Sequence, residues 1–198
     1  NFYIFTKQMK LTKKYYQNED VVFLAKDLLG KLLITEIDGI KTGGIITETE
    51  AYSEIEKGCH AYNKRKTERT KIMFENGGLS YVYFCYGMHH LFNIVTGKND
   101  TAQAVLIRAI QPTIGIDEIL KRRKKDKIDK NLSNGPGKVC QALGITKEHY
   151  GLELTRDKIW LSTSAIKINK EQITASPRIG IDYAEEDKHL PWRFVLKI

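Results

Sequence analysis

The sequence predicts a single α+β domain whose β-sheet is mixed or mostly antiparallel. Three observations carry this expectation. Short β-rich runs follow one another across tight turns, and Asp38-Gly39 between two of them is a strong hairpin signal. The helical patterns are few and set apart from the strands instead of alternating with them. No repeat and no Gly/Ser linker interrupts the 198 residues, so 1–198 reads as one domain.

In chain order, residues 1–18 read as an N-terminal arm without a secretory signal. Residues 21–29 carry apolar positions at helical spacing and stop at Gly30, a suitable C-terminal cap. Residues 31–37 and 40–52 are strands across the Asp38-Gly39 turn. Residues 67–75 read as a short helix closed by Gly77-Gly78. Strands follow at 79–85 and 91–96, joined across residues 86–90, and again at 104–110. The second half holds helices at 116–125 and 138–143 and late strands at 158–161 and 192–198. Residues 121–138, with Lys121, Arg122, Arg123, Lys124, Lys125, Lys127, Lys130 and Lys138, read as a helix end running into an exposed basic loop.

Composition narrows the function. With 41% hydrophobic residues the chain can build a core, and disorder over its whole length is excluded. No stretch approaches the ~20 apolar residues of a membrane span. Three cysteines do not make a disulfide framework, so a reduced, cytoplasmic setting is the expectation. Thirty-two Lys and Arg against 24 Asp and Glu leave a net charge of +8. A surface this basic suits a polyanion, because each cation placed against a phosphate releases counterions.

Two segments could carry chemistry. As a strand, residues 45–52 would put Ile46, Glu48, Glu50 and Tyr52 on one face. That face is either a solvated edge or a pocket wall with a carboxylate beside an aromatic plate, an arrangement suited to cleaving a glycosidic bond. In Tyr81-Val82-Tyr83-Phe84-Cys85-Tyr86-Gly87-Met88, Tyr81 and Tyr83 should face one way and Val82 and Phe84 the other. Tyr86 and Met88 would crown the tip, either as a wedge that enters between base steps or folded back on the core. Cys59-His60 and Cys85 with His89 and His90 lack the paired spacing of a zinc site, and no phosphate loop is present.

The ordered set Glu48-Thr49-Glu50-Ala51-Tyr52, His60-Ala61-Tyr62, Met73-Phe74, Tyr81-Val82-Tyr83, Tyr86-Gly87-Met88, Asn93 and Val105-Leu106-Ile107-Arg108-Ala109 resembles the alkyladenine (3-methyladenine, or methylpurine) DNA glycosylase family. Gly135-Pro136-Gly137-Lys138, Gln141-Ala142-Leu143 and Pro177-Arg178-Ile179-Gly180 are similar to its C-terminal half, so the resemblance spans residues 28–196. It implies a compact domain with a protruding β-hairpin, acting on double-stranded DNA that contains damaged purines. It implies a monomer that needs no metal, organic cofactor, membrane or obligate protein partner.

By position, the resemblance makes Glu50 the base that activates water, with Arg108 and the backbone carbonyl near Ile179 helping to hold that water. Tyr52 and His60 would stack on one face of a flipped base and Tyr83 on the other, with Asn93 at the pocket wall. Tyr86 would fill the gap left in the duplex, and Lys138 would meet phosphate. Apart from the resemblance, Met88 at the hairpin tip and Arg122 and Arg123 in the basic run are candidates for DNA contact. Three positions depart from the family pattern: Gly77-Gly78 for its Pro-Gly, Gln111 for an acidic residue, and Glu56 for the Asp four positions before His60. Two other classes compete: a non-catalytic minor-groove DNA- or RNA-binding module, and a zinc deaminase, which the missing ligand set disfavours.

Overall fold

The computed structural model describes residues 9–85, 87–163 and 166–198. Among these residues it forms one eight-stranded sheet in which every strand pair is antiparallel. The sheet expected to be mixed or largely antiparallel is therefore antiparallel throughout. After α1 (Lys13–Tyr16), α2 (Val21–Asp27) begins at Asp20, whose carboxylate accepts the Phe23 N–H at 2.8 Å. Strands β1 (Leu32–Ile37) and β2 (Ile40–Ser53) follow. They are joined by Asp38 (φ 53°) and Gly39 (φ 75°), both left-handed as a two-residue hairpin requires.

The next hairpin is β3 (Ser80–Cys85) and β4 (His89–Val95), with Phe92 opposite Val82 and Asn93 opposite Tyr81. Its tip protrudes: Gly87 has open space where a Cβ would be, and Met88 is 71% exposed. Met88 therefore does not fold back on the core. Tyr86 lies outside the described residues. Then come β5 (Gln103–Ile114), α3 (Ile116–Arg123), α4 (Pro136–Leu143), β6 (Ile159–Ser162), β7 (Ile173–Ser176) and β8 (Arg193–Leu196).

The central strand is β2. One edge pairs with β5 along most of its length; the other pairs first with β1 and then, at Glu48–Glu50, with β8. The sheet therefore branches where β2 leaves β1. The principal core lies against α2 and α4, with Leu24, Leu28, Leu33, Ile46, Phe92, Ile107, Leu143 and Phe194 buried together. A smaller cluster, including Ala61, Met73, Phe74, Tyr81 and Ala104, packs against the other side, with Tyr52 and Tyr83 half-buried against it.

Several expectations change. Residues 67–75 form no full helix; only a 3-10 turn spans Lys71–Phe74, tied by Thr67–Thr70 bonds. The fifth strand runs four residues past its expected end at 110, and β7 had no clear sequence signal. Residues 121–138 are not simply an exposed loop. Their two arginines pack on α4: Arg122 bonds Glu118 at 3.0 Å and the Ala142 carbonyl at 3.3 Å, and Arg123 bonds the Leu132 carbonyl at 2.9 Å as well as Gln141.

Candidate active site

Two adjacent irregularities in the β2–β5 ladder create the site. Between Ile46 and Glu48 the register shifts, and between Glu48 and Thr49 it shifts again. Thr47 is thus extra on β2, and Arg108 is extra on β5. Bulges redirect the side chains that follow them. Ile46, Thr49 and Ala51 consequently face the principal core side, as do Ile107 and Ile110 on β5. Glu48, Glu50, Tyr52 and Arg108 turn to the opposite face. The expected common face of Ile46, Glu48, Glu50 and Tyr52 is corrected: Ile46 leaves the set, because simple alternation ends at the bulge.

Glu50 is fully buried. Its Oε2 accepts the Tyr52 hydroxyl at 2.7 Å and its Oε1 accepts the Ile179 N–H at 2.9 Å. Arg108 Nη1 stands 3.4 Å from the same Oε1. The Ile179 amide thus holds the carboxylate directly. A group that only accepts hydrogen bonds matches this donor set. Burial, and then the Glu50 charge, pushes the Tyr52 phenol well above its ordinary range, so it remains a hydroxyl donor.

Beneath Tyr52 lies a second ion pair that the sequence reading did not single out. Arg178 binds Glu56 through both nitrogens, each at 2.7 Å, and donates to the Ala51 carbonyl at 3.0 Å. Its guanidinium lies 4.8 Å from the Tyr52 ring centre and 5.3 Å from that of Trp192. The Glu56 that departs from the family pattern thus keeps a buried carboxylate in a working bidentate pair. Gly58 permits this closeness: a Cβ there would stand 2.9 Å from Glu56 Oε2 and 3.2 Å from Arg178 Nη2. The available signal for Arg178 was a lone arginine held between Pro177 and Ile179-Gly180.

A cleft of about 420 Å³ opens over this face. Tyr52, His60, Tyr83, Asn93, Arg108 and Ile179 all line it, so the structure gathers these sequence candidates around one hollow. Asn93 is buried and donates to the Tyr81 carbonyl at 3.1 Å. His60 Nδ1 shares a hydrogen bond with the Tyr81 hydroxyl at 2.8 Å. Burial, with Arg69 adding repulsion, lowers the His60 pKa to about 4, so the ring is neutral at pH 7.

One expected relation is different. His60 and Tyr83 were to lie on opposite faces of a base, yet their rings touch edge-on with centroids 4.8 Å apart. A base stacked between two rings needs roughly 7 Å, two contact layers of about 3.5 Å. As placed, these rings form one wall.

One cleft residue comes from a basic stretch. Lys64, Arg65, Lys66, Arg69 and Lys71 fall within eight residues that contain one acid, Glu68. Arg69 lines the cleft, its guanidinium 5.8 Å from the Tyr83 ring centre. The sequence reading passed over this cluster because it weighed the longer run at 121–138. Lys138 is half-buried at the start of α4 and bonds Asn134 at 2.8 Å. By contrast, Arg122 and Arg123 hold α3 against α4 through the bonds given above, and those contacts use the groups expected to face DNA. Among the described residues no group of three or more His, Cys, Asp or Glu is arranged to hold a metal ion.

The sequence model for methylpurine-DNA glycosylase matches residues 14–198. A Chlamydia felis protein named "Putative 3-methyladenine DNA glycosylase" is 53% identical over 190 residues, 95% of this chain and 96% of its own length. Proteins of the same name from Clostridium novyi (46% over 199 residues, 96% of each chain) and Bacillus thuringiensis (47% over 195 residues, 94% of this chain and 95% of its own) are also similar. With the family's pattern running through both the sheet and the cleft, this chain belongs to the methylpurine-DNA glycosylase family.

Proposed function

We propose that the protein hydrolyses the N-glycosidic bond of alkylated or otherwise damaged purines in double-stranded DNA and leaves an abasic site. One observation carries the reading: a fully buried carboxylate, Glu50, lies behind a ring-lined cleft beside Arg108. A base inside the duplex is out of reach, so the nucleotide rotates out at a cost of a few kcal/mol. Stacking on aromatic rings offsets this by ~1–3 kcal/mol per base and tolerates different purines. Tyr52 supplies one such ring. Tyr83 supplies another once it turns away from His60.

Arg108 stands 3.4 Å from Glu50, and the attacking water is held beside the two of them. Glu50 takes a proton from that water as its oxygen attacks the anomeric carbon. The carbon–nitrogen bond breaks, and its electron pair leaves with the base. A cationic alkylated purine departs as a neutral molecule and needs little acid help. One carboxylate then suffices where ordinary glycosidases use two. His60, neutral at pH 7, is not the proton source for a neutral lesion. DNA crosses residues 64–71 and the start of α4, where Arg65, Arg69 and Lys138 meet phosphates. Asn93 at the wall disfavours an unmodified guanine through its exocyclic amine.

The test is incubation with duplex DNA containing methylated adenine, hypoxanthine or an etheno-adduct, followed by detection of free base. Release from at least one is expected; release from none rejects the reading.

A further inference from the structure

Two carboxylates face Arg108 from β2. Arg108 Nε donates to Glu48 Oε1 at 2.9 Å, while its Nη1 remains 3.4 Å from Glu50. Glu48 Oε1 also accepts Arg193 Nε at 2.6 Å, and Arg193 Nη1 donates to Ser176 Oγ at 3.2 Å. Glu48 is thus clamped between an arginine of β5 and an arginine of β8, and the second is tied in turn to β7. All three partners are mostly shielded, with side-chain exposures of 15% for Glu48, 12% for Arg108 and 25% for Arg193. The bulge that adds Arg108 to β5 is what puts Arg108 on the same face as Glu48.

A shielded guanidinium that loses one anion moves to the nearest other one, because a buried unpaired charge is costly. For Arg108 that anion is Glu50. The Ile179 amide and Tyr52 hydroxyl already occupy one site on each Glu50 oxygen. A closed Arg108–Glu50 hydrogen bond would take the second acceptor site of Oε1, one of the two left for a water.

We infer that Glu48 is a positioning residue that holds Arg108 short of a direct hydrogen bond to Glu50, leaving that carboxylate oxygen an acceptor site for the attacking water. This rests on Glu50 being the base. The groups that face Glu50 are Tyr52 and Glu48 from its own strand, Arg108 from β5, Tyr83 from β3, Arg178 from the segment before Ile179, and Arg193 at its register partner on β8. Of these, Glu48 removal moves Arg108. With Arg108 drawn onto Glu50, the plateau rate falls.

The experiment is a double-mutant cycle read by single-turnover base release from duplex DNA containing a cationic methylated purine. Glu48→Gln should lower the plateau roughly 10²-fold, the scale of a displaced reacting group. Its affinity for abasic-site duplex should stay within about threefold of the parent, so that the loss lies in the chemical step and not in the fold or in DNA binding. In an Arg108→Met background the same substitution should cost less than about threefold, since nothing remains to be misplaced. A parental rate, a matching loss of abasic-site binding, or the full loss repeated without Arg108 overturns the inference. If Glu48→Gln does not fold, Glu48→Asp runs the same cycle, with an intermediate loss expected in the parent and none without Arg108. Glu50→Gln separates the two claims: if it still releases base, the proposed function fails; if it is inactive while Glu48→Gln is fully active, this inference fails alone.

Discussion

Glu50→Gln is the sharpest perturbation, because the structure predicts a large chemical effect and a small structural one. Glutamine has nearly the same shape, and the site accepts it in one orientation. Its carbonyl can replace Oε1 and receive the Ile179 N–H, while its amide replaces Oε2 and donates to Tyr52, whose hydroxyl can turn to accept. What is lost is charge. Two hydrogen bonds to a charged group become neutral ones, at a cost of about 2 kcal/mol in total. For a chain of this size that is roughly 4–8 °C in Tm. Loss of a general base costs about 10²–10⁴ in rate, which at 1.36 kcal/mol per decade is about 3–5 kcal/mol. Single-turnover release of free base with enzyme in excess measures the chemistry, calorimetry measures the Tm, and abasic-site duplex reports binding. Base release within about tenfold of the parent would refute Glu50 as the base. A lost rate accompanied by unfolding would make it a structural residue instead.

Other consequences are as direct. Severing the buried Arg178–Glu56 pair with Glu56→Gln should cost about 3–5 kcal/mol, because it leaves a shielded guanidinium unmatched. Arg156→Met, which breaks the exposed pair with Glu153, should cost less than about 1 kcal/mol; equal Tm losses would refute the distinction. His60 titrates near 4 when folded against an ordinary 6.5, so the unfolded chain takes up the proton first as pH falls. Its contribution is complete above pH 6.5 and drains away between 6.5 and 4, so His60→Gln should flatten Tm against pH in that window; an unchanged slope counts against the assignment. Arg65→Gln and Arg69→Gln should each reduce the salt slope of DNA binding by about 0.9, the value of one phosphate contact. Arg123→Gln should instead lower Tm with the slope intact, and the reverse pattern would return the DNA surface to α3.

Local chemistry made much of this molecule legible before any coordinates. Asp38-Gly39 sets its hairpin through two left-handed residues, and strand alternation alone puts Glu50 and Tyr52 on one face. The ordered motifs identified the family and most of the residues around the cleft. Alternation misled at Ile46, because a bulge is a mismatch between two strands that neither strand carries alone. The charge-rich run at 121–138 shows the same limit: its cations are countable in the sequence, but that Arg122 and Arg123 have partners about ten to eighty residues away is not.

What the sequence determined by itself is therefore what short-range sterics and periodicity decide: the hairpins, the segregation of helices from strands, and the residue types offered to the site. Only the tertiary structure decided which charges are spent internally, that Ile179 offers its amide to Glu50, that His60 and Tyr83 share a wall, and that Glu48 restrains Arg108. Those outcomes are competitions between distant groups for the same few atoms, and they are resolved by the packing of β2 against β5 and β8.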